Sequence, residues 1–147
     1  MKSSTPAELR LFIDTWGWLV LADAKDPHHT RAVSERRERS AAGPLFTTDY
    51  VLDETFTRLF SRCDFALARK FTDAVLEAEP AGLLKIERIT PSRFDAAYSM
   101  RIRYRDKPDI SFTDLTSFVV MKELGIRGVL TADAHFSQAR LGFRRVP

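Results

Sequence analysis

Short apolar runs alternating with longer helical patterns predict an α/β fold, a three-layer sandwich around a mostly parallel central sheet. Two observations carry this. Five short runs read as strands, and most are separated by helical segments of roughly ten residues or more, the pattern of βαβ units rather than hairpins. The chain has 147 residues, 44% apolar and 29% charged, enough for one domain over residues 1–147 with a real core and too few for two ordinary ones.

The elements follow in order. "LRLFI" (9–13) is an apolar strand, followed by the helical stretch "WGWLVLADA". Asp26-Pro27 reads as an N-cap with proline at the first helical position, opening a basic helix to about Ser40. "PLFTT" is a second strand and "DYVLDETFTRLFSR" a helix. Asp64 caps the next helix, in which Phe65, Ala68, Phe71 and Val75 recur at helical spacing up to Glu79-Pro80. "LLKIERI" (83–89) is a strand, and Thr90-Pro91 starts a helix with Phe94, Ala97, Tyr98 and Ile102 on one side. The stretch "ISFTDLTSFVVMKELGI" (110–126) is a helix whose opening Ser111-x-x-Asp114 fits a capping box, with Gly125 at its C-terminus. "GVLTA" (128–132) and "GFRRV" (142–146) complete the strands.

Bulk properties narrow the function. No apolar run reaches the ~18 residues that a membrane span needs, and "MKSSTPAELRLFIDTW" lacks the pattern of a signal peptide, so a cytoplasmic protein without membrane contacts is expected. A single cysteine, Cys63, excludes an internal disulfide and is read as an ordinary core or half-buried residue. The net charge of +3 permits a nucleic-acid partner without demanding one. Arginines cluster in "RAVSERRERS" (31–40) and "MRIRYRDK" (100–107), as solvated helix faces or as phosphate contacts.

The acids are more informative. In parallel α/β sheets, ligands bind beyond the carboxyl ends of the strands. Asp14 directly follows the first strand and Asp133 follows "GVLTA", while Asp114 opens the helix that feeds that strand and Glu54 lies about two turns into the helix after the second. Each has an ordinary reading: Asp14 and Asp133 as N-caps, Asp114 as a capping-box acid, Glu54 as the partner of Arg58 four residues on. Together they converge on one sheet edge, where crowded carboxylates repel unless a cation or a proton shares the site. Hard oxygen ligands of this kind suit Mg²⁺ or Mn²⁺ rather than zinc. His28, His29 and His135 make no zinc pattern. A cation so held activates water for phosphodiester hydrolysis, and a second ion about 4 Å away can stabilise the leaving oxygen. Neither GxGxxG nor GxxxxGK[ST] occurs, so dinucleotide and P-loop readings lose their main support.

"LFIDT", "TTDYVLDETFTRL", "ISFTDLTSFVVMKELGI" and "VLTADAHF" together resemble a PIN-domain ribonuclease, and more narrowly the VapC-like toxins of bacterial toxin–antitoxin pairs. The resemblance runs in order from about residue 9 to the C-terminus; no one motif is specific, but four in order are. It implies Asp14, Glu54, Asp114 and Asp133 as catalytic and metal-binding acids, with Asp53 a less favoured substitute for Glu54. Thr15, Ser111 or Thr113 would support the site by their hydroxyls. It also implies single-stranded RNA cleavage dependent on Mg²⁺ or Mn²⁺, often a homodimer, and a cognate antitoxin covering the site. Trp16 departs from the small polar residue common there, and either narrows the site or packs with Trp18. Asp106 is read as a loop residue near enough to reach the ligands' surroundings.

Three rivals are weaker. An aspartyl-nucleophile phosphatase wants an acid two residues after the first, where Trp16 stands. A phosphoacceptor receiver wants an acid pair after strand one and a lysine after a late strand, and no lysine follows Lys122. A non-catalytic PIN-like RNA-binding protein would not need the acids intact.

Overall fold

Leu11–Ile13, three wholly buried residues, form β1 at the centre of a five-stranded sheet. The run carries no polar alternation because a central parallel strand is covered on both faces. The computed structural model describes Pro6 and residues 9–147; the rest of the opening segment considered above for a leader lies outside the described residues. After β1 come α1 (Thr15–Ala22), α2 (His29–Ser40), β2 (Leu45–Thr48), α3 (Asp49–Arg62), α4 (Phe65–Ala78), β3 (Leu84–Glu87), α5 (Pro91–Arg103), α6 (Phe112–Leu124), β4 (Gly128–Leu130), α7 (His135–Gln138) and β5 (Arg144–Val146).

The strand order is β3-β2-β1-β4-β5, and every pairing is parallel. The chain thus winds outward from β1 through β2 to β3, then returns to the other side of β1 for β4 and β5. The reversal falls between β1 and β4, where Phe12 pairs with Val129 and Ile13 with Leu130. Such a switch point opens a crevice at the strands' carboxyl ends. Asp14 and Thr131 are the first residues beyond those two ends.

Local chemistry fixes the helices that flank the crevice. Thr48 caps α3 by accepting from the Val51 N–H (3.0 Å), and Thr90 caps α5 by accepting from Arg93 (3.2 Å). Ser111 caps α6 by accepting from the Asp114 N–H (3.0 Å), and Gly125 ends it in the left-handed conformation. α1 is tied to the sheet by a buried relay: the Trp18 indole donates to Thr47 Oγ1 (3.1 Å), which donates to the Ile13 carbonyl (2.9 Å). Gly17 lets this helix lie against β4, since a Cβ there would stand 2.5 Å from the Leu130 carbonyl oxygen. Gly17→Ala is expected to cost about 1–3 kcal/mol by urea unfolding, because backbone rather than a flexible side chain must yield.

Some expectations change. α2 begins at His29, not at Pro27, because the Asp26 carboxylate accepts from the His28 N–H (2.8 Å) and closes a turn before the helix. Asp64 occupies the N-cap position of α4 without a side-chain cap bond. The periodic apolar faces of α4 and α5 are only partly core. Phe65 is 68% exposed, and on α5 Ala97 is buried while Tyr98 and Ile102 are more than half exposed. α5 packs on α6, whose residues from Asp114 to Met121 are all buried. Cys63 is half-buried and free.

Candidate active site

Asp14, Glu54, Asp114 and Asp133 line one cleft of about 400 Å³, together with Thr15, Trp16, Arg58, Asp109, Ser111, Ala132 and His135. Four elements bring them there. Asp14 leaves β1, Glu54 comes from α3, Asp114 from the first turn of α6, and Asp133 from the loop after β4. The cleft is the crevice of the switch point.

Asp14 is 95% buried and stands at the N-cap of α1, yet makes no side-chain cap bond. Instead its Oδ2 accepts from Thr131 Oγ1 (2.9 Å), whose oxygen in turn accepts from the Asp133 N–H (3.0 Å). One hydroxyl therefore sets the spacing of two acids across β1 and β4. Burial, then the nearby Asp114 charge, raises the Asp14 pKa to about 7. No cation pairs with this carboxylate among the described residues.

Asp114, also buried, is pushed up to about 6 by burial and by Asp133, with the bond from His135 acting the other way. His135 Nδ1 lies 3.0 Å from Asp114 Oδ2 and 3.1 Å from Asp133 Oδ1, bridging the two carboxylates. Asp133 is further fixed by accepting from the His135 backbone N–H (2.9 Å). Ligand atoms of Asp114, Asp133 and His135 all lie within 4.8 Å of one another. Asp14 and Glu54 both stand outside that tight group; Glu54 Oε1 lies 3.2 Å from Arg58, so its ion pair and its place on the cleft wall coexist. Asp53 beside it is exposed.

This donor set fits a divalent cation on observations of the chain itself. Two buried carboxyls have pKa values raised toward neutrality, the signature of anions taken out of water without enough positive charge. The Thr15 hydroxyl, in the cleft wall, is buried with no hydrogen-bond partner in the protein. Carboxylate oxygens predominate, as Mg²⁺ and Mn²⁺ prefer, with one imidazole that Mn²⁺ also accepts.

Several site residues escaped the sequence reading. Thr131 has no local signature. His135 stands in the "VLTADAHF" segment, where the absence of a zinc pattern gives it no role in the sequence. Asp106 is exposed and pairs with Lys107 (3.1 Å); Asp109, three residues on, reaches the cleft. Trp16 lies at the site edge-on to His28, with ring centroids 5.4 Å apart, whereas Trp18 is the core ring. Ser111 is engaged in capping and Thr113 does not line the cleft, so of the three hydroxyls considered Thr15 is the one that faces it without a partner.

The second arginine cluster serves the site by holding a loop. Arg101 donates to the carbonyls of Tyr104 and Lys107 (2.7 Å each) and of Ile110, drawing together the turn that delivers Asp109 and Ser111. Arg101→Ala leaves three carbonyls without their charged donor. It is expected to cost about 2–4 kcal/mol in urea unfolding, on a scale of about 1.5–3 kcal/mol per bond to a charged group less solvent compensation.

Comparison with known proteins agrees with this architecture. Residues 11–141 match the PIN domain family model. The chain is 32% identical over 129 residues to the 23S rRNA-specific endonuclease VapC20 of Mycobacterium tuberculosis, covering 88% of this chain and 93% of the relative. The crystal structure of that VapC20, a Sarcin-Ricin loop cleaving toxin, superposes with a TM-score of 0.76 at 32% identity, over 91% of this chain and 96% of the other. VapBC2 from Rickettsia felis, bound to a DNA fragment from its promoter, shares the fold with a TM-score of 0.73 at 12% identity, over 93% of this chain and 98% of the other. A doubly wound parallel sheet, a crevice of acids at its switch point and a family match over nearly the whole length lead to one assignment: the chain belongs to the PIN domain family.

Proposed function

We propose that residues 1–147 form one metal-dependent endoribonuclease domain that cleaves RNA phosphodiester bonds in the acid cleft. The observation that carries this is the convergence of Asp14, Asp114 and Asp133 at the switch point, with two of the three carboxyls short of positive charge. Asp14, Asp114 and Asp133 would hold Mg²⁺ or Mn²⁺, with Glu54 on the facing wall and Thr15 offering its open hydroxyl. Such an ion would lower the pKa of water at the scissile phosphate and neutralise charge on its oxygens.

The chain's own residues do the positioning. Thr131 locks Asp14 and Asp133 in register, and the turn made by Asp133 and His135 fixes the latter acid. His135 bridges Asp114 and Asp133 and keeps the two like charges together when no cation does. Arg58 brings a guanidinium to the Glu54 wall, placed to meet a phosphate oxygen.

The likeness to VapC20 supports a structured loop of large-subunit ribosomal RNA as the substrate, a toxin's role in the cytoplasm, and a cognate antitoxin. Exposed apolar side chains offer surfaces for that partner and for a homodimer: Phe60 and Phe65 in mutual contact, and Tyr98 and Ile102 on α5. None of the described helices is long and apolar enough to cross a membrane.

The test is cleavage of labelled cellular RNA and of intact ribosomes by purified protein in Mg²⁺, Mn²⁺ or EDTA. Metal-dependent cutting is expected, with the break in ribosomes mapping to one rRNA loop. Cutting that persists in EDTA, or none with either ion, would overturn the reading.

A further inference from the structure

A second cleft, of about 660 Å³, adjoins the acid cleft and shares Trp16 and Ala132 with it. Its chemistry is the reverse of its neighbour's. Arg31, Arg144 and Arg145 line it together with Pro147 and with His28, which pairs with Asp26 (3.2 Å), and no Asp or Glu side chain does. Arg31 and Arg144 are exposed and have no ion-pair partner among the described residues. Arg145 is held in place, donating through Nε to Ser137 Oγ (3.1 Å) and through Nη1 to the Ala132 carbonyl (3.0 Å). That carbonyl lies in the loop between Thr131 and Asp133, so this guanidinium is braced on the segment that carries a candidate ligand.

Aromatic surface completes the cleft. Trp16 is half-buried at the border of the two clefts, and Phe143 is fixed from behind by Phe118 (5.6 Å between ring centroids). Cationic side chains interleaved with a ring are what single-stranded nucleic acid binds: phosphates on the guanidiniums, an unstacked base on the π-face. A base inside a duplex could not present its face to Trp16.

Building on the endoribonuclease reading, we propose that this second cleft is a nucleotide subsite. It receives the unpaired nucleotide next to the scissile phosphate, with the base against Trp16 and the phosphate on Arg31 and Arg145. Trp16, on the border of the two clefts, thus gives the nucleotide beside the cut a stacking face that only an unpaired, extruded base can use. Trp16 acts in binding, not in the chemical step.

The test is tryptophan fluorescence during titration of the wild-type chain with a short single-stranded oligoribonucleotide in EDTA, and with the same sequence as a blunt duplex. Without metal nothing is cut, so binding is read independently of activity. Saturable quenching by the single strand is expected, with far weaker quenching by the duplex. Read by fluorescence anisotropy of a 5′-labelled copy of the same oligoribonucleotide, which does not need Trp16 as reporter, Trp16→Ala should weaken single-strand binding about tenfold, and Trp16→Phe, which keeps a stacking ring, should restore most of it. The Trp16→Phe protein retains only Trp18, buried in the core, and its fluorescence should stay unquenched. Arg31→Gln, an exposed change that spares the fold, should reduce the slope of log affinity against log salt by about 0.7. Equal affinities for wild type, Trp16→Ala and Arg31→Gln, or equal quenching by the duplex, would overturn the subsite even if the protein cuts RNA. Quenching as described in a protein that cuts nothing would uphold the subsite and count against the nuclease reading.

Discussion

Asp114→Asn is expected to remove RNA cleavage while leaving the fold intact. The helix cap does not depend on its carboxylate, because Ser111 Oγ accepts from the backbone N–H of residue 114, which the substitution keeps. The negative charge in the first turn is offset by burial, which already raises this carboxyl to about 6. At pH 4.5, where that carboxyl is largely protonated, stability should therefore change by no more than about 1 kcal/mol, and at pH 8 in EDTA the variant should be the more stable because it lacks the buried charge. Activity should fall at least about a hundredfold, the upper range for loss of groups that merely support a ligand. Thermal unfolding beside a cleavage assay checks both. A variant that unfolds about 1 kcal/mol sooner and still cuts would reduce Asp114 to its helix-start role.

Asp14→Asn should act on stability in the same sense and more strongly, because its carboxyl is raised further. In the metal-free protein burial raises the carboxyl pKa to about 7, against 3.8 for an aspartate free in water, as in the unfolded chain. A raised folded pKa gives a stability contribution that is complete below pH 3.8 and is lost as pH climbs through 7. The metal-free wild type should thus weaken between pH 4 and pH 8, by up to roughly 4 kcal/mol from this group. Asp114 adds in the same direction. Asp14→Asn lacks this ionisation, so it should be more stable than wild type in EDTA at pH 8 and about equal at pH 4.5. Urea unfolding at the two pH values decides it. Saturating Mn²⁺ should narrow the difference at pH 8 by stabilising only the wild type, as a ligand specific for the folded state does. A variant less stable than wild type at pH 8 would mean the carboxylate is satisfied by the protein alone.

How much of this was legible in the sequence follows from physical range. Strands and helices declared themselves because "LFI", "LFTT" and "GVL" are wholly apolar or β-branched runs, and helix starts such as Thr90-Pro91 and Ser111 to Asp114 carry their own cap chemistry. The acids at strand ends were legible because sheet topology turns chain position into place. What stayed hidden depends on contacts distant in sequence. Thr131 meets Asp14 across 117 residues, and Arg101 holds a loop through carbonyls that have no side-chain signature. Helical spacing on α4 and α5 identified apolar stripes but not whether the protein covers them, and Phe65, Tyr98 and Ile102 remain in solvent. Asp106 reads as the loop acid near the site, yet it is Asp109 that the turn held by Arg101 brings to the cleft, and no local signal in the sequence singles it out.

The central claim is that the crevice between β1 and β4 is a divalent-cation site built from buried acids. Calorimetric titration of the metal-free protein with Mn²⁺ near pH 7, repeated in two buffers of different ionisation enthalpy, tests it most directly. Saturable binding that releases protons is expected, since Asp14 and Asp114 must give up the protons they share with water near neutrality. Asp14→Asn and Asp114→Asn should each weaken it. Absence of saturable binding, or binding that neither releases protons nor responds to either substitution, would contradict the account.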